Sequence, residues 1–103
     1  MEEKKVYRNE GLTIRALAEM LNEQEYKVRR LINGELGFRN FNDFLNNYRV
    51  NEACEILNDP TQNRKTILEI AYSLGYQSIG PFNKAFKELK ENTPTAYRKG
   101  TKS

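Results

Sequence analysis

Five residues recur at a single offset. Ile14, Leu17, Ala18, Leu21 and Asn22 return as Ile67, Ile70, Ala71, Leu74 and Gly75, each pair 53 positions apart. In both copies the apolar residues follow helical spacing, which predicts a helix with one buried face. The alanine is small enough for a second helix to cross closely over the first. Four residues later stands a residue that tolerates positive φ, Asn22 or Gly75, so the chain can turn sharply. A helix with an apolar pair at i and i+4 follows, Val28/Ile32 in one copy and Phe82/Phe86 in the other. This is the pattern of a helix-turn-helix, here written twice. A single copy would fit a plain helical hairpin as well, and the duplication argues against that.

The stretch YSLGYQSIGPFNKAF, residues 72–86, fits the same scheme despite its two glycines and proline. Gly75 ends one helix, Tyr76 and Gln77 form the turn, and Ser78 is placed to cap the next helix. Gly80 and Pro81 then fall in its first turn, where the amide that proline lacks has no partner within the helix. The second copy uses one more residue in its turn than the first.

Outside the repeat, apolar residues keep helical spacing and no stretch alternates as a strand would, so the expected fold is all-α. Thr13 is placed to cap the first helix, with Ile14, Leu17, Ala18 and Leu21 inward. A second runs from about Gln24 to Leu36, burying Val28, Leu31 and Ile32, and stops at Gly37. A long helix from about Phe41 to Asn58 turns Phe41, Phe44, Leu45, Tyr48, Ala53, Ile56 and Leu57 to a core. After the polar connector NDPTQNRK, Thr66 and Glu69 form a capping box. The next two helices carry Ile67, Ile70, Ala71 and Leu74, then Phe82, Ala85, Phe86 and Leu89. Asn92 is expected to close the latter in the left-handed region, with Thr93 capping a short last helix that opens on Pro94. The count is six helices, or seven with a short one near the N-terminus.

Several function classes are remote. The 103 residues make one small domain with little room for a substrate cleft. There is no histidine, the commonest general base, and Cys54 stands alone with neither a disulfide partner nor the neighbours of a zinc site. Cys54 reads as a small packed residue, and no cofactor is expected. No apolar run approaches the roughly 18 residues of a membrane span, and MEEKKVYRNE lacks the apolar core of a signal peptide. A cytoplasmic chain is the expectation. Net charge is only +3, but it is divided unevenly, −2 over residues 1–63 and +5 over 64–103.

The chain resembles the DNA-binding domain of AraC/XylS-type bacterial transcription regulators from about Leu12 to Lys99. The family's I-A-x-x-x-G-F segment is matched by Ile70, Ala71, Gly75 and Tyr76, its F-x-x-x-F-K by Phe82, Phe86 and Lys87, and its G-x-x-P-x-x-Y-R by Asn92, Pro94, Tyr97 and Arg98. The first half, LAEMLNEQEYKVRRLINGELGFRNFNDFLNNYRVNEACEIL, is similar to the family's first motif and long connecting helix.

The resemblance implies two helix-turn-helix units, about 12–37 and 66–91, joined by a long helix at about 41–58 and followed by a short helix at about 94–98. Residues 1–11 are then an N-terminal extension or linker remnant, and 101–103 a tail. It also implies transcription regulation through double-stranded DNA, with recognition helices in successive major-groove segments about 34 Å apart. Bacterial RNA polymerase is a further expected partner, as is an effector or dimerisation domain outside these residues. An excised C-terminal domain is favoured over a short stand-alone regulator.

On the first recognition helix the outward residues are Tyr26, Lys27, Arg29, Arg30 and Asn33; arginine can grip guanine with two hydrogen bonds and tyrosine can pack on a thymine methyl. On the second they are Ile79, Gly80, Asn83, Lys84 and Lys87. Base readout is therefore expected from Tyr26, Lys27, Arg29, Arg30, Asn33, Ile79, Gly80, Asn83 and Lys84, and phosphate contact from Ser78 and Lys87. Family members commonly carry polar residues where this chain has Ile79, Gly80 and Pro81, whose side chains cannot hydrogen-bond a base. The first unit is thus expected to supply most direct readout. The alternative is a protein-interaction module on the same scaffold with an eroded DNA face, which Ile79-Gly80-Pro81 would permit and Arg29-Arg30 argue against.

Overall fold

The computed structural model describes residues 5–101, without the side chain of Thr101; residues 1–4 of the expected extension and 102–103 of the expected tail lie outside it. The described residues form six α-helices and no strand: α1 (Ile14–Met20), α2 (Glu25–Arg30), α3 (Phe41–Asn58), α4 (Ile67–Ser73), α5 (Ile79–Lys90) and α6 (Pro94–Thr101). Short 3-10 turns at Val6–Arg8 and Pro60–Gln62 precede α1 and occupy the polar connector. None of these helices is long and apolar enough to cross a membrane.

The repeat survives in three dimensions down to single hydrogen bonds. Asn22 and Gly75 both have positive φ, 53° and 100°. Glu23 N donates to Ala18 O, and Tyr76 N to Ala71 O, again 53 positions on. Helix starts repeat too: Thr13 Oγ1 accepts from Ala16 N at 3.0 Å and Thr66 Oγ1 from Glu69 N at 3.0 Å, the latter in a complete capping box. In both copies the crossing alanine is buried, as is the apolar pair on the second helix.

α3 joins the copies by serving two cores in turn. Its N-terminal half gives Phe44 and Leu45 to a core with Leu17, Ala18, Val28 and Ile32. Its C-terminal half gives Val50, Ala53, Cys54, Ile56 and Leu57 to a second core with Ile70, Leu74, Phe82 and Phe86. Between them α3 buries Arg49 and, one turn on, Glu52. Burying a charge is costly unless it is paired, so these two residues mark a specific joint. The segment expected to be an extension takes part: Tyr7 belongs to the first core, beside Leu12 at the start of the first unit. The result is elongated, 46 × 23 × 22 Å, with a radius of gyration of 14.5 Å where a compact chain of this length has about 13 Å.

Four details differ from the sequence expectation. Leu21 is 55% exposed, whereas its repeat partner Leu74 is fully buried, because the first core stops short of the end of α1. Leu31 and Leu89 are about two-fifths exposed, at 41% and 40%, rather than inward. The second helix does not run as a regular α-helix to Leu36; after Arg30 it widens into a π turn, Leu31–Glu35, which rotates Leu31 outward and closes with Phe38 N donating to Ile32 O. Finally, Glu91 rather than Asn92 takes the left-handed position, φ 56°, and donates its N–H to Lys87 O. Asn92 instead accepts the Thr93 amide with its side chain, leading into the Thr93 cap on Ala96 N.

Candidate nucleic-acid interface

All eleven residues singled out from the sequence lie on the surface: Tyr26, Lys27, Arg29, Arg30 and Asn33 in the first unit, Ser78, Ile79, Gly80, Asn83, Lys84 and Lys87 in the second. Each set sits on the helix opposite its own buried pair. No hydrogen bond or ion pair links the two sets among the described residues.

The first set is arranged before any partner arrives. Arg29 pairs with Glu25 at 2.9 Å and Lys27 with Glu23 at 3.7 Å, both i,i+4 with the acid toward the helix start, the favoured orientation. Arg30 has no acidic partner among the described residues, and its guanidinium lies 5.7 Å from the centre of the Tyr26 ring. That contact restrains a flexible side chain and leaves its donors free. Asn33 stands on the π turn, so it is rotated away from the position that a regular helix would give it.

The second set is open. The side chains of Ser78, Asn83, Lys84 and Lys87 make no hydrogen bond or ion pair among the described residues. Ser78 stands at the start of α5 in extended conformation, yet its hydroxyl caps no amide. Among the six α-helices, side chains cap α1, α3, α4 and α6, and leave α2 and α5 uncapped. These are the second helices of the two helix-turn-helix units, the ones expected to face DNA, and the sequence did not disclose this regularity, since serine at position 78 reads as a cap. The Ile79 and Gly80 amides in the first turn of α5, ahead of Pro81, which has none, are placed to meet an outside acceptor such as a phosphate oxygen. Around Gly80 the space is empty: an added Cβ would meet nothing within 4 Å.

Sequence reading passed over the joint. Arg49 and Glu52 are charges set among core-spaced residues of α3, between Leu45 and Ala53, and that misplacement is the signal that marks them. Arg49 donates from Nε to Tyr7 O at 2.7 Å and from a terminal nitrogen to Asn9 O at 2.9 Å. Its guanidinium also lies 5.1 Å from the centre of the Tyr76 ring. Burial holds Arg49 below the usual arginine range and pushes Tyr76 up to about 12.

Two helix-turn-helix units carrying exposed basic faces on a shared helix define a class of DNA-binding proteins. Comparison with known proteins agrees, a helix-turn-helix domain family matching residues 17–100. The chain is similar to the C-terminal domain of AraT, a response regulator from Geobacillus stearothermophilus, at 32% identity and TM-score 0.79, over 93% of this chain and 76% of that one. A Listeria innocua protein of unknown function is similar at 30% identity and TM-score 0.75, over 93% of this chain and 87% of that one. The fold is shared with an AraC-type transcriptional regulator from Chromobacterium violaceum, at 21% identity and TM-score 0.76, over 87% and 77% of the two chains. No match is found among curated proteins. The chain belongs to the AraC-type helix-turn-helix family, whose work is DNA-binding transcription regulation rather than catalysis.

Proposed function

We propose that this chain binds double-stranded DNA sequence-specifically, with α2 and α5 in successive major-groove segments on one face of the duplex. The first unit supplies most of the base readout, through Arg30 and Tyr26 with Lys27, Arg29 and Asn33. The second adds apolar contact from Ile79, some readout by Asn83 and Lys84, and phosphate anchoring by Ser78 and Lys87. Partners beyond DNA are bacterial RNA polymerase and an effector or dimerisation domain outside residues 1–103, and the site of action is the cytoplasm.

The observation that carries this reading is the contrast between the two faces. One holds an arginine stacked on tyrosine with no acidic partner among the described residues; the other opens with Ile79, Gly80 and Pro81 and carries lysines that make no ion pair among those residues, in a segment of net charge +5. Planar, restrained guanidinium suits base edges, whereas mobile lysine suits phosphate, where it adds affinity without sequence preference. The molecule's 46 Å length accommodates two helices one DNA turn apart, about 34 Å.

Selection of bound duplexes from a randomised pool, at near-physiological salt with nonspecific competitor, tests it. One strongly enriched block with a weaker one about ten base pairs away is the expected result. Two equally enriched blocks would overturn the unequal division, and no enrichment would overturn sequence-specific binding by this chain.

A further inference from the structure

The two cores do not merge. What spans them, besides the continuous backbone of α3 and a hydrogen bond that Tyr76 Oη donates to Asn46 Oδ1 at 2.7 Å, is a polar clamp on the N-terminal segment. Tyr7 anchors that segment in the first core, its ring stacked on Tyr48 at 5.5 Å. Arg49 grips the segment's backbone at Tyr7 and Asn9 while lying over Tyr76, a member of the second core. Glu52 holds the same segment from the other side, accepting from Tyr7 Oη at 2.8 Å, from Arg8 Nε at 2.9 Å and from a second Arg8 nitrogen. The turn of the second unit touches it as well: a Cβ on Gly75 would lie 2.6 Å from Arg8 O and 3.0 Å from Arg49. Every member of this clamp contacts the joint, and none belongs to the DNA-facing sets.

We propose that Arg49 and Glu52 are positioning residues that fix the separation and phase of the two recognition helices, and thereby the spacing between DNA blocks that the protein accepts. The inference rests on the DNA-binding reading. One base pair advances a duplex by about 3.4 Å and turns it by about 34°, so a rigid joint must discriminate against a shifted second block. Arginine is suited to the task because its rigid planar fork meets two carbonyls at once while its flat face covers a ring, and lysine has a compact ammonium on a flexible stem with neither fork nor face. A loosened joint would leave each unit folded and each recognition face intact. It would lose the preference for one spacing.

The test uses duplexes that carry the selected blocks at their native separation, with one base pair added or removed, and with the first block alone. Wild-type protein should lose about tenfold or more in affinity at either altered spacing, a difference of about 1.4 kcal/mol. Arg49→Lys should bind all three spacings within about threefold of one another, while binding the first block alone as wild type does. Glu52→Gln, nearly isosteric, repeats the comparison should the lysine variant not fold. Retention of tenfold discrimination by a folded variant would overturn the proposal. So would an equal loss on the first block alone, which would mark general destabilisation. Wild-type binding that ignores spacing would overturn it while leaving DNA recognition standing, whereas absence of binding to every duplex would overturn the DNA reading itself.

Discussion

Arg30 and Lys84 carry equal charge in unlike surroundings, and their removal should have unlike effects. Arg30 is restrained against Tyr26; Lys84 is exposed and makes no hydrogen bond or ion pair among the described residues. Arg30→Ala should relax preference at one base pair, at about 1–3 kcal/mol of discrimination. Lys84→Ala should mainly weaken binding, with little change in sequence preference, and reduce the salt slope by about one. A base-by-base binding assay decides, and equal relaxation by both would end the division of duties. Glu52 allows a prediction that needs no DNA. Burial alone would raise its pKa, but hydrogen bonds from Arg8 and Tyr7, with the nearby Arg8 charge and Lys5, outweigh burial and hold the carboxyl below its ordinary value of 4.5. A carboxyl with a lower pKa folded than unfolded adds stability above the unfolded value, and this is lost as pH falls through the folded one. Thermal unfolding should therefore show wild type ahead of Glu52→Gln at neutral pH, by about 1 kcal/mol for partly solvated partners, with the gap closing below pH 4.5. A gap that stayed constant to pH 3 would show that the charge is not what holds the segment.

At the scale of elements, two glycines five residues apart, one in the turn and one in the helix that follows, should respond with opposite sign. Gly75 sits at φ 100° with its missing Cβ pointing into Arg8, so Gly75→Ala should destabilise by at least about 2 kcal/mol through strain and clash together. Gly80 lies in the first turn of α5 with open space around it, so Gly80→Ala should stabilise by about 0.5 kcal/mol. Chemical denaturation of both variants checks the pair, and a destabilised Gly80→Ala would mean that the opening of α5 is constrained in a way its geometry does not reveal. The glycine at 75 was legible in sequence because turn chemistry is local, and so were α3 from Phe41 to Asn58, the Thr66–Glu69 box and the positive φ of Asn22. Periodicity was a poorer guide to what covers a face. It put Leu21, Leu31 and Leu89 inward because they fall on the apolar side of their helices, yet the partner surface ends before it reaches Leu21, and the π turn rotates Leu31 away. The joint escaped for the complementary reason: an arginine and a glutamate on a long helix read as solvated charges until the N-terminal segment folds over them. The outward position of the candidate residues other than Ser78 was legible, since it follows directly from the inward pairs. Their division between ion pairs, stacking and open solvent was not.

For the molecule as a whole, charge is distributed so that the two ends should differ in their dependence on salt. Each phosphate neutralised by a lysine or arginine releases counterions and contributes a slope of about −0.9 to log K against log salt. In the second unit Lys84 and Lys87 have no acidic partner among the described residues, so contact with phosphate would break no ion pair. Replacing both with alanine should flatten the slope by about 1.8. In the first unit Lys27 is paired with Glu23; a turn of Lys27 to DNA would break that pair and leave the glutamate uncompensated near the backbone, offsetting part of the gain. Lys27→Ala should therefore change the slope by clearly less than about 0.9, even though the residue lies on the face expected to read bases. Glu23→Gln removes the competitor and should strengthen binding most at low salt, where the screening length is longest, about 30 Å at 0.01 M. Affinities measured for these variants on one duplex between about 50 and 200 mM salt separate the contributions. A large slope change from Lys27→Ala with none from the second-unit pair would reverse the assignment, making the acidic-net first half the electrostatic anchor and leaving the basic half without the role its charge suggests.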